Sequence, residues 1–205
     1  KADDLRICPE SKLISSNKDG QIFSYRGETF ELKQLGKYQL DNCSAAIEGA
    51  LTLIERGHSK ITWDTIKRRV SKSVWKGRLQ KIEKKGKTFL LDGAHNPDGA
   101  KTLTDELSTH FSDMKKCFVF GMFADKDVDG VLKNIGGLAD MFIAVKPPSK
   151  RGLDEKITLE KCLQYAPLSS SAQSIEEAIT AAFNGDCELT VVCGSLSILD
   201  SALKA

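Results

Sequence analysis

From Phe89 onward the sequence alternates short apolar runs with amphipathic stretches, and this alternation restricts the fold more than any other feature. The runs Phe89–Leu91, Cys117–Phe120, Met141–Val145, Leu168–Ser170 and Leu189–Cys193 read as buried strands. Apolar residues at helical spacing fill the intervals, at about Asp98–Phe111, Val128–Ile135, Thr158–Tyr165 and Ser174–Phe183. The last interval opens with Ser174 and carries Glu177 three residues on, a reciprocal capping pattern. Strands joined through helices run parallel with right-handed crossovers. The expected fold is therefore α/β, a Rossmann-like, mostly parallel sheet with helices on both faces.

Upstream, Gln21–Tyr25 and Thr29–Lys33 flank Arg26-Gly27 as a short β-hairpin, after the turn Asn17–Gly20. Helices are expected over Asn42–Arg56, with Gly57 beyond its end, and over Trp63–Val70, capped by Thr62. A second hairpin is expected from Arg78–Glu83, through Lys84-Lys85-Gly86, to Thr88–Leu91.

Thirty Lys and Arg against 28 Asp and Glu leave a net charge of +2, too even for a nucleic-acid or membrane surface. No apolar run approaches the roughly 20 residues of a membrane span. Cys8, Cys43, Cys117, Cys162, Cys187 and Cys193 form no Cys-x-x-Cys pair, and fit free thiols in a reducing, cytoplasmic setting. Gly86-Lys87-Thr88 has the tail of a phosphate-binding loop but lacks its upstream glycine and feeds a strand. No Gly-x-Gly-x-x-Gly follows any strand, so the fold carries no dinucleotide fingerprint.

In an open α/β sheet the ligand crevice lies at the carboxyl ends of the strands. That rule selects the loops Asp92–Asp98, Gly121–Asp127, Lys146–Asp154 and Gly194–Ser197. In the first, Asn96 fits an N-cap and Pro97 the first helical position. Asp92 can accept ribose hydroxyls or a substrate ammonium, and His95 can bind an anion or move a proton. The same residues also suit a plain capped turn. As metal ligands they lack an evident third partner. Gly194-Ser195-Leu196-Ser197 suits a phosphate or carboxylate held by amides and a hydroxyl, or an ordinary turn. Asp125-Lys126-Asp127 and Lys150-Arg151-Gly152 can contact a ligand, or serve as helix start and solvated loop.

Ordered blocks along nearly the whole chain carry a family resemblance: Gly36–Asn42 (GKYQLDN), Trp75–Leu79 (WKGRL), Leu91–Ala100 (LDGAHNPDGA), Gly121–Asp127 (GMFADKD) and Val192–Leu196 (VCGSL). Together they resemble the carboxy-terminal half of the folylpolyglutamate synthase and dihydrofolate synthase family, within the Mur ligase superfamily. Tyr38 stands where that family commonly has histidine, and Ser197 where it often has an aromatic residue.

The resemblance implies an ATP-dependent acid–amino-acid ligase that joins L-glutamate to tetrahydrofolate or its polyglutamates through an acyl phosphate. It implies residues 1–74 as remnant of a central ATPase domain with linker helices, and 75–205 as the carboxy-terminal domain. Asn42 would contact adenine, Arg78 the ATP phosphates, and Asp92 the nucleotide through its ribose. His95 and Ser195 would bind or orient glutamate, with Arg78 and His95 the catalytic pair. The phosphate-binding loop and magnesium ligands are expected in an amino-terminal domain outside these residues. The fragment alone is expected to be an inactive monomer, without nucleic-acid or membrane partners. Alternatives are a related amide ligase such as cyanophycin synthetase, or a non-catalytic nucleotide- or amino-acid-binding module.

Overall fold

The computed structural model describes residues 5–204. They form two compact units that divide between Trp75 and Lys76.

In the first unit, β1 (Lys12–Asn17), β2 (Gly20–Tyr25) and β3 (Glu28–Leu32) make an antiparallel sheet in that order. The expected two-stranded hairpin therefore gains an edge strand. Two helices follow, α1 (Tyr38–Glu55) and α2 (Trp63–Val70). Alternate residues Phe23, Tyr25, Phe30 and Leu32 meet Leu40, Cys43 and Ile47 of α1 and Ile66 of α2 in one core. Thr62 caps α2 by accepting from the Thr65 N–H. Helix α1 starts four residues before the expected Asn42, because Gln39 N–H already closes a turn onto the Gly36 carbonyl.

The second unit contains a six-stranded sheet in the order β4-β5-β9-β6-β7-β8, where β4 (Gln80–Lys84) is antiparallel and the rest are parallel. The strands β5 (Lys87–Leu91), β6 (Lys116–Phe120), β7 (Met141–Ala144) and β8 (Ser170–Ser171) advance across the sheet in one direction. Their connections carry α3 (Pro97–His110), α4 (Val128–Ile135) and α5 (Glu155–Cys162). After α6 (Ile175–Asn184) the chain turns back to insert β9 (Leu189–Cys193) between β5 and β6, and ends in α7 (Leu196–Lys204). Right-handed crossovers place α3–α5 on one face and α6 on the other.

The core agrees with that placement. Phe89, Leu91, Cys117, Val119, Ile143 and Val192 cluster with Ala178 and Ile179 of α6 and Ile198 and Leu199 of α7. The alternate residues Phe118, Phe120 and Phe142 point to the opposite face. There their rings pack with centroids 5.3 and 6.1 Å apart. The expected Rossmann-like sheet with helices on both faces is the observed architecture.

In the second unit three further boundaries differ clearly from the sequence-based expectation, each for a local reason. Strand β4 starts at Gln80 rather than Arg78, because Leu79 has φ 44° and cannot continue a strand. Helix α5 starts a turn early because the Asp154 side chain accepts from Lys156 N–H. Leu168 is 81% exposed, so it does not belong to β8, whose two residues pair only with Ile143 and Ala144. The Gly86-Lys87-Thr88 segment leaves the Lys85-Gly86 turn, both residues of which have positive φ, and enters β5. Lys87 Nζ donates to the Gly185 and Cys187 carbonyls just beyond α6.

Candidate functional site

The carboxyl ends of β5, β9 and β6 are neighbours, so the loops that leave them lie side by side. Backbone bonds sew the three together. Asp92 N–H donates to the Val192 carbonyl at 3.0 Å, Gly194 N–H to Ala94 at 2.9 Å, and Gly121 N–H to Cys193 at 3.4 Å. Gly194 has φ +106°, and a Cβ there would stand 2.5 Å from the Gly121 carbonyl oxygen. Glycine alone permits that approach. Arg78, Asp92, His95 and Ser195 thus share one rim of the second unit's sheet.

They do not share one pocket. A cavity of about 330 Å³ takes in His95, Ser195, Ser197, Lys126, Arg151 and Phe123, and its lining includes neither Arg78 nor Asp92. His95 Nδ1 lies 2.8 Å from the Gly93 carbonyl oxygen. A carbonyl only accepts, so Nδ1 carries the proton and Nε2 remains as the ring nitrogen able to accept from a ligand. Ser195 is buried, and its Oγ accepts from Ser197 N–H at 3.2 Å while lying 2.8 Å from Ser197 Oγ. The two hydroxyls therefore act as a pair at the start of α7.

The opposite wall comes from the loops after β6 and β7, which clasp one another. Ala124 N–H donates to the Arg151 carbonyl at 2.8 Å and Leu153 N–H to Met122 at 2.9 Å. The Arg151 guanidinium lies 4.9 Å from the centroid of the Phe123 ring and forks onto Asp125, with Nε–Oδ1 at 3.1 Å and Nη2–Oδ2 at 2.5 Å. That pairing holds the Asp125 carboxyl below the usual carboxylate range. A fork uses one edge of a guanidinium and leaves the Nη1 donors for another acceptor. Lys126 adds a second cation, while Asp127 is occupied as the cap of α4, accepting from Gly130 N–H. The cavity thus offers Lys126, an Arg151 whose charge is shared with Asp125, paired hydroxyls and an imidazole, groups able to hold a small ligand bearing a carboxylate.

Asp92 faces inward. It is 5% exposed, and both carboxylate oxygens accept from backbone at 2.9 Å, Oδ2 from Leu79 N–H and Oδ1 from Ala94 N–H. Burial pushes its pKa up, and these two bonds and the nearby Arg78 charge oppose that shift. Arg78 is half-buried beside Gly93, where an added Cβ would come within 2.9 Å of Nη1.

Asn42 belongs to the first unit. It is exposed near the start of α1, and its Nδ2 donates to Gln39 Oε1 at 2.9 Å. It edges a largely apolar cavity of about 560 Å³ between α1 and α2. That cavity is the larger of the two and is lined mostly by apolar side chains, whereas His95, Lys126, Arg151, Ser195 and Ser197 make up most of the smaller one's lining.

Sequence reasoning did not single out Phe123, and it left Lys126 and Arg151 as alternatives to solvated loop. Their position after β6 and β7 was the available signal. Among the described residues no three His, Cys, Asp or Glu side chains are gathered to hold a metal ion. No described helix is long and apolar enough to cross a membrane.

Comparison with known proteins adds relatives to this geometry. The family model described as "Mur ligase, glutamate ligase domain" matches residues 77–196. Folylpolyglutamate synthase of Lacticaseibacillus casei is 28% identical over 191 residues, covering 90% of this chain and 43% of that protein. The crystal structure of folylpolyglutamate synthase from Thermotoga maritima aligns with a TM-score of 0.80 at 26% identity, over 95% of this chain and 45% of that one. The Mycobacterium tuberculosis folylpolyglutamate synthase, solved with ADP and AMPPCP, shares the fold with a TM-score of 0.73 at 23% identity. It is covered to 46%, and this chain to 96%. The chain spans less than half the length of the relatives it matches.

Proposed function

This chain belongs to the family of Mur ligase glutamate ligase domains, and we propose that it is part of an ATP-dependent ligase that adds L-glutamate to tetrahydrofolate or its polyglutamates. The observation that carries the reading is the recess in which His95 and Ser195 face Lys126 and Arg151. L-Glutamate offers two carboxylates and one amine, and the recess offers Lys126, the Nη1 edge of the Asp125-paired Arg151, paired hydroxyls and an imidazole nitrogen.

A carboxylate becomes an acyl donor only when one of its oxygens is made a leaving group. Phosphoryl transfer from ATP to the folate γ-carboxylate supplies that, releasing ADP. The glutamate nitrogen then bonds to the acyl carbon, the carbon–oxygen bond to phosphate breaks, and the nitrogen sheds a proton to leave an amide. His95 Nε2 is a fitting acceptor for a proton of the incoming ammonium. Lys126 and Arg151 would hold the carboxylates, and Ser195 would orient the amine. Fixing amine and acyl phosphate within reach provides a large entropic share of the acceleration.

On the same reading, Arg78 with Asp92 forms the nucleotide side of the rim, Arg78 reaching the phosphates as charge shifts between them. Asn42 would contact adenine. Residues 1–74 would belong to the central ATPase domain and its linker, and 75–205 to the carboxy-terminal domain. Magnesium would be held by residues outside this chain, which alone would be inactive.

The test is incorporation of labelled glutamate by the full-length protein carrying this chain. ATP-dependent incorporation into a tetrahydrofolate acceptor is expected. Incorporation into a different acceptor, or binding of ATP and glutamate without product, would replace this reading with a related ligase or a binding module.

A further inference from the structure

Each acid that flanks Lys126 is engaged elsewhere. Asp127 caps α4 by accepting from Gly130 N–H at 2.9 Å. Asp125 is held by Arg151 of the neighbouring loop, with Nε–Oδ1 at 3.1 Å and Nη2–Oδ2 at 2.5 Å. Lys126 N–H closes a turn onto the Phe123 carbonyl at 3.1 Å, and the Lys126 carbonyl accepts from Val128 N–H at 2.9 Å. The backbone under Lys126 is thus fixed on both sides, and its side chain lines the recess.

Arg151 reaches three successive residues of that turn. Its guanidinium lies 4.9 Å from the Phe123 ring centroid, its carbonyl accepts from Ala124 N–H at 2.8 Å, and its fork takes Asp125. Arg151 is itself anchored. Its N–H donates to Ser149 Oγ at 3.2 Å, Gly152 N–H donates to the Ser149 carbonyl at 2.9 Å, and Phe123 forms an antiparallel bridge with Gly152. An exposed ion pair alone contributes little to stability, and the exception is bidentate geometry within a network. Asp125 and Arg151 are exposed, so what this network chiefly sets is the place of the turn.

Resting on the assignment of the recess to glutamate, we propose that Asp125 and Arg151 are positioning residues, a clasp between the loops after β6 and β7 that presents the Lys126 ammonium to a carboxylate of the incoming amino acid. Besides any bond that its free Nη1 edge makes to the ligand, Arg151 thereby acts through Lys126. Arg151→Lys keeps the charge but removes the fork and the planar face that lies against Phe123. Asp125→Asn keeps the size but removes the charge that draws the guanidinium.

Asp125→Asn in the full-length protein separates two readings by sign. Were Arg151 only a cation for the ligand, its release from Asp125 would lower the glutamate KM or leave it unchanged, and Arg151→Lys would keep most of the binding. The clasp predicts that each variant raises the glutamate KM by about tenfold, within the range of coupling inside one charged network. The KM for ATP and the denaturation midpoint should stay as in the wild type. On a Lys126→Ala background neither variant should add a further rise. A glutamate KM lowered or unchanged by Asp125→Asn, or a rise that persists in full without Lys126, would overturn the proposal.

A second measurement needs no ligase activity. By 15N relaxation of the same proteins, the order parameters of the Ala124, Asp125 and Lys126 amides should fall in both variants from about 0.85 towards 0.6, while those of α4 hold. Unchanged values in both variants would dismiss the clasp even if glutamate ligation is confirmed. A fall confined to that turn upholds it even if the protein proves to use another amino acid.

Discussion

The backbone N–H of Gly194 donates to the carbonyl of Ala94 at 2.9 Å, joining the loop that leaves β9 to the loop that leaves β5. The bond exists because β9 is inserted between β5 and β6. Two loops distant in sequence are thereby fixed as neighbours, and His95 and Ser195 enter the same recess.

Gly194→Ala should loosen that junction. The new methyl would meet the Gly121 carbonyl oxygen at 2.5 Å and Met122 Cγ at 2.9 Å, on a backbone at φ +106°. A destabilisation of about 1–3 kcal/mol is expected from the conformation alone, with more from the clash. Chemical denaturation of the variant beside the wild type measures it.

Much of this site was legible before any coordinates. Continuous apolar runs made β5, β6 and β9 readable, and loops after parallel strands are where ligands bind. Asn96 and Ser174 act as the caps expected of them, accepting from Gly99 and Glu177 N–H. Leu168 misled because an apolar residue beside a short edge strand looks like part of it. The inward turn of Asp92 was not readable, since its acceptor role depends on Leu79 adopting positive φ. Nor was the stacking of Arg151 on Phe123, which joins loops from two different strands.

The first unit should lose stability in acid through Glu48. This buried carboxylate accepts from Tyr25 Oη at 2.8 Å and Arg26 Nη2 at 3.1 Å. The Arg26 hydrogen bond leads the effects that hold its pKa below the ordinary value, against the opposing effect of burial. Its contribution is therefore whole above the unfolded-state pKa of about 4.3 and drains away as pH falls through the lower folded value. Both tryptophans, Trp63 and Trp75, lie in this unit, so tryptophan fluorescence follows its unfolding. Glu48→Gln should lower stability at neutral pH and flatten the acid limb of the curve.

Thiol chemistry should separate Cys8 from the other five cysteines. Cys8 is exposed, whereas Cys43, Cys117, Cys162, Cys187 and Cys193 are buried and unbridged. Burial pushes the Cys43 thiol up to about 11 and those of Cys117 and Cys162 up to about 12. At neutral pH a thiolate-specific reagent should therefore modify one cysteine quickly in the native chain and all six only after unfolding. Mass spectrometry after brief labelling checks the count and the position.

The proposed assignment of the recess around His95 and Ser195 to glutamate is tested most directly by steady-state kinetics of His95→Ala and Ser195→Ala in the full-length protein carrying this chain, varying L-glutamate and ATP separately. Both variants should raise the KM for glutamate, with the KM for ATP unchanged. An unchanged glutamate KM in both, or a rise confined to ATP, would contradict the assignment of this recess to the incoming amino acid.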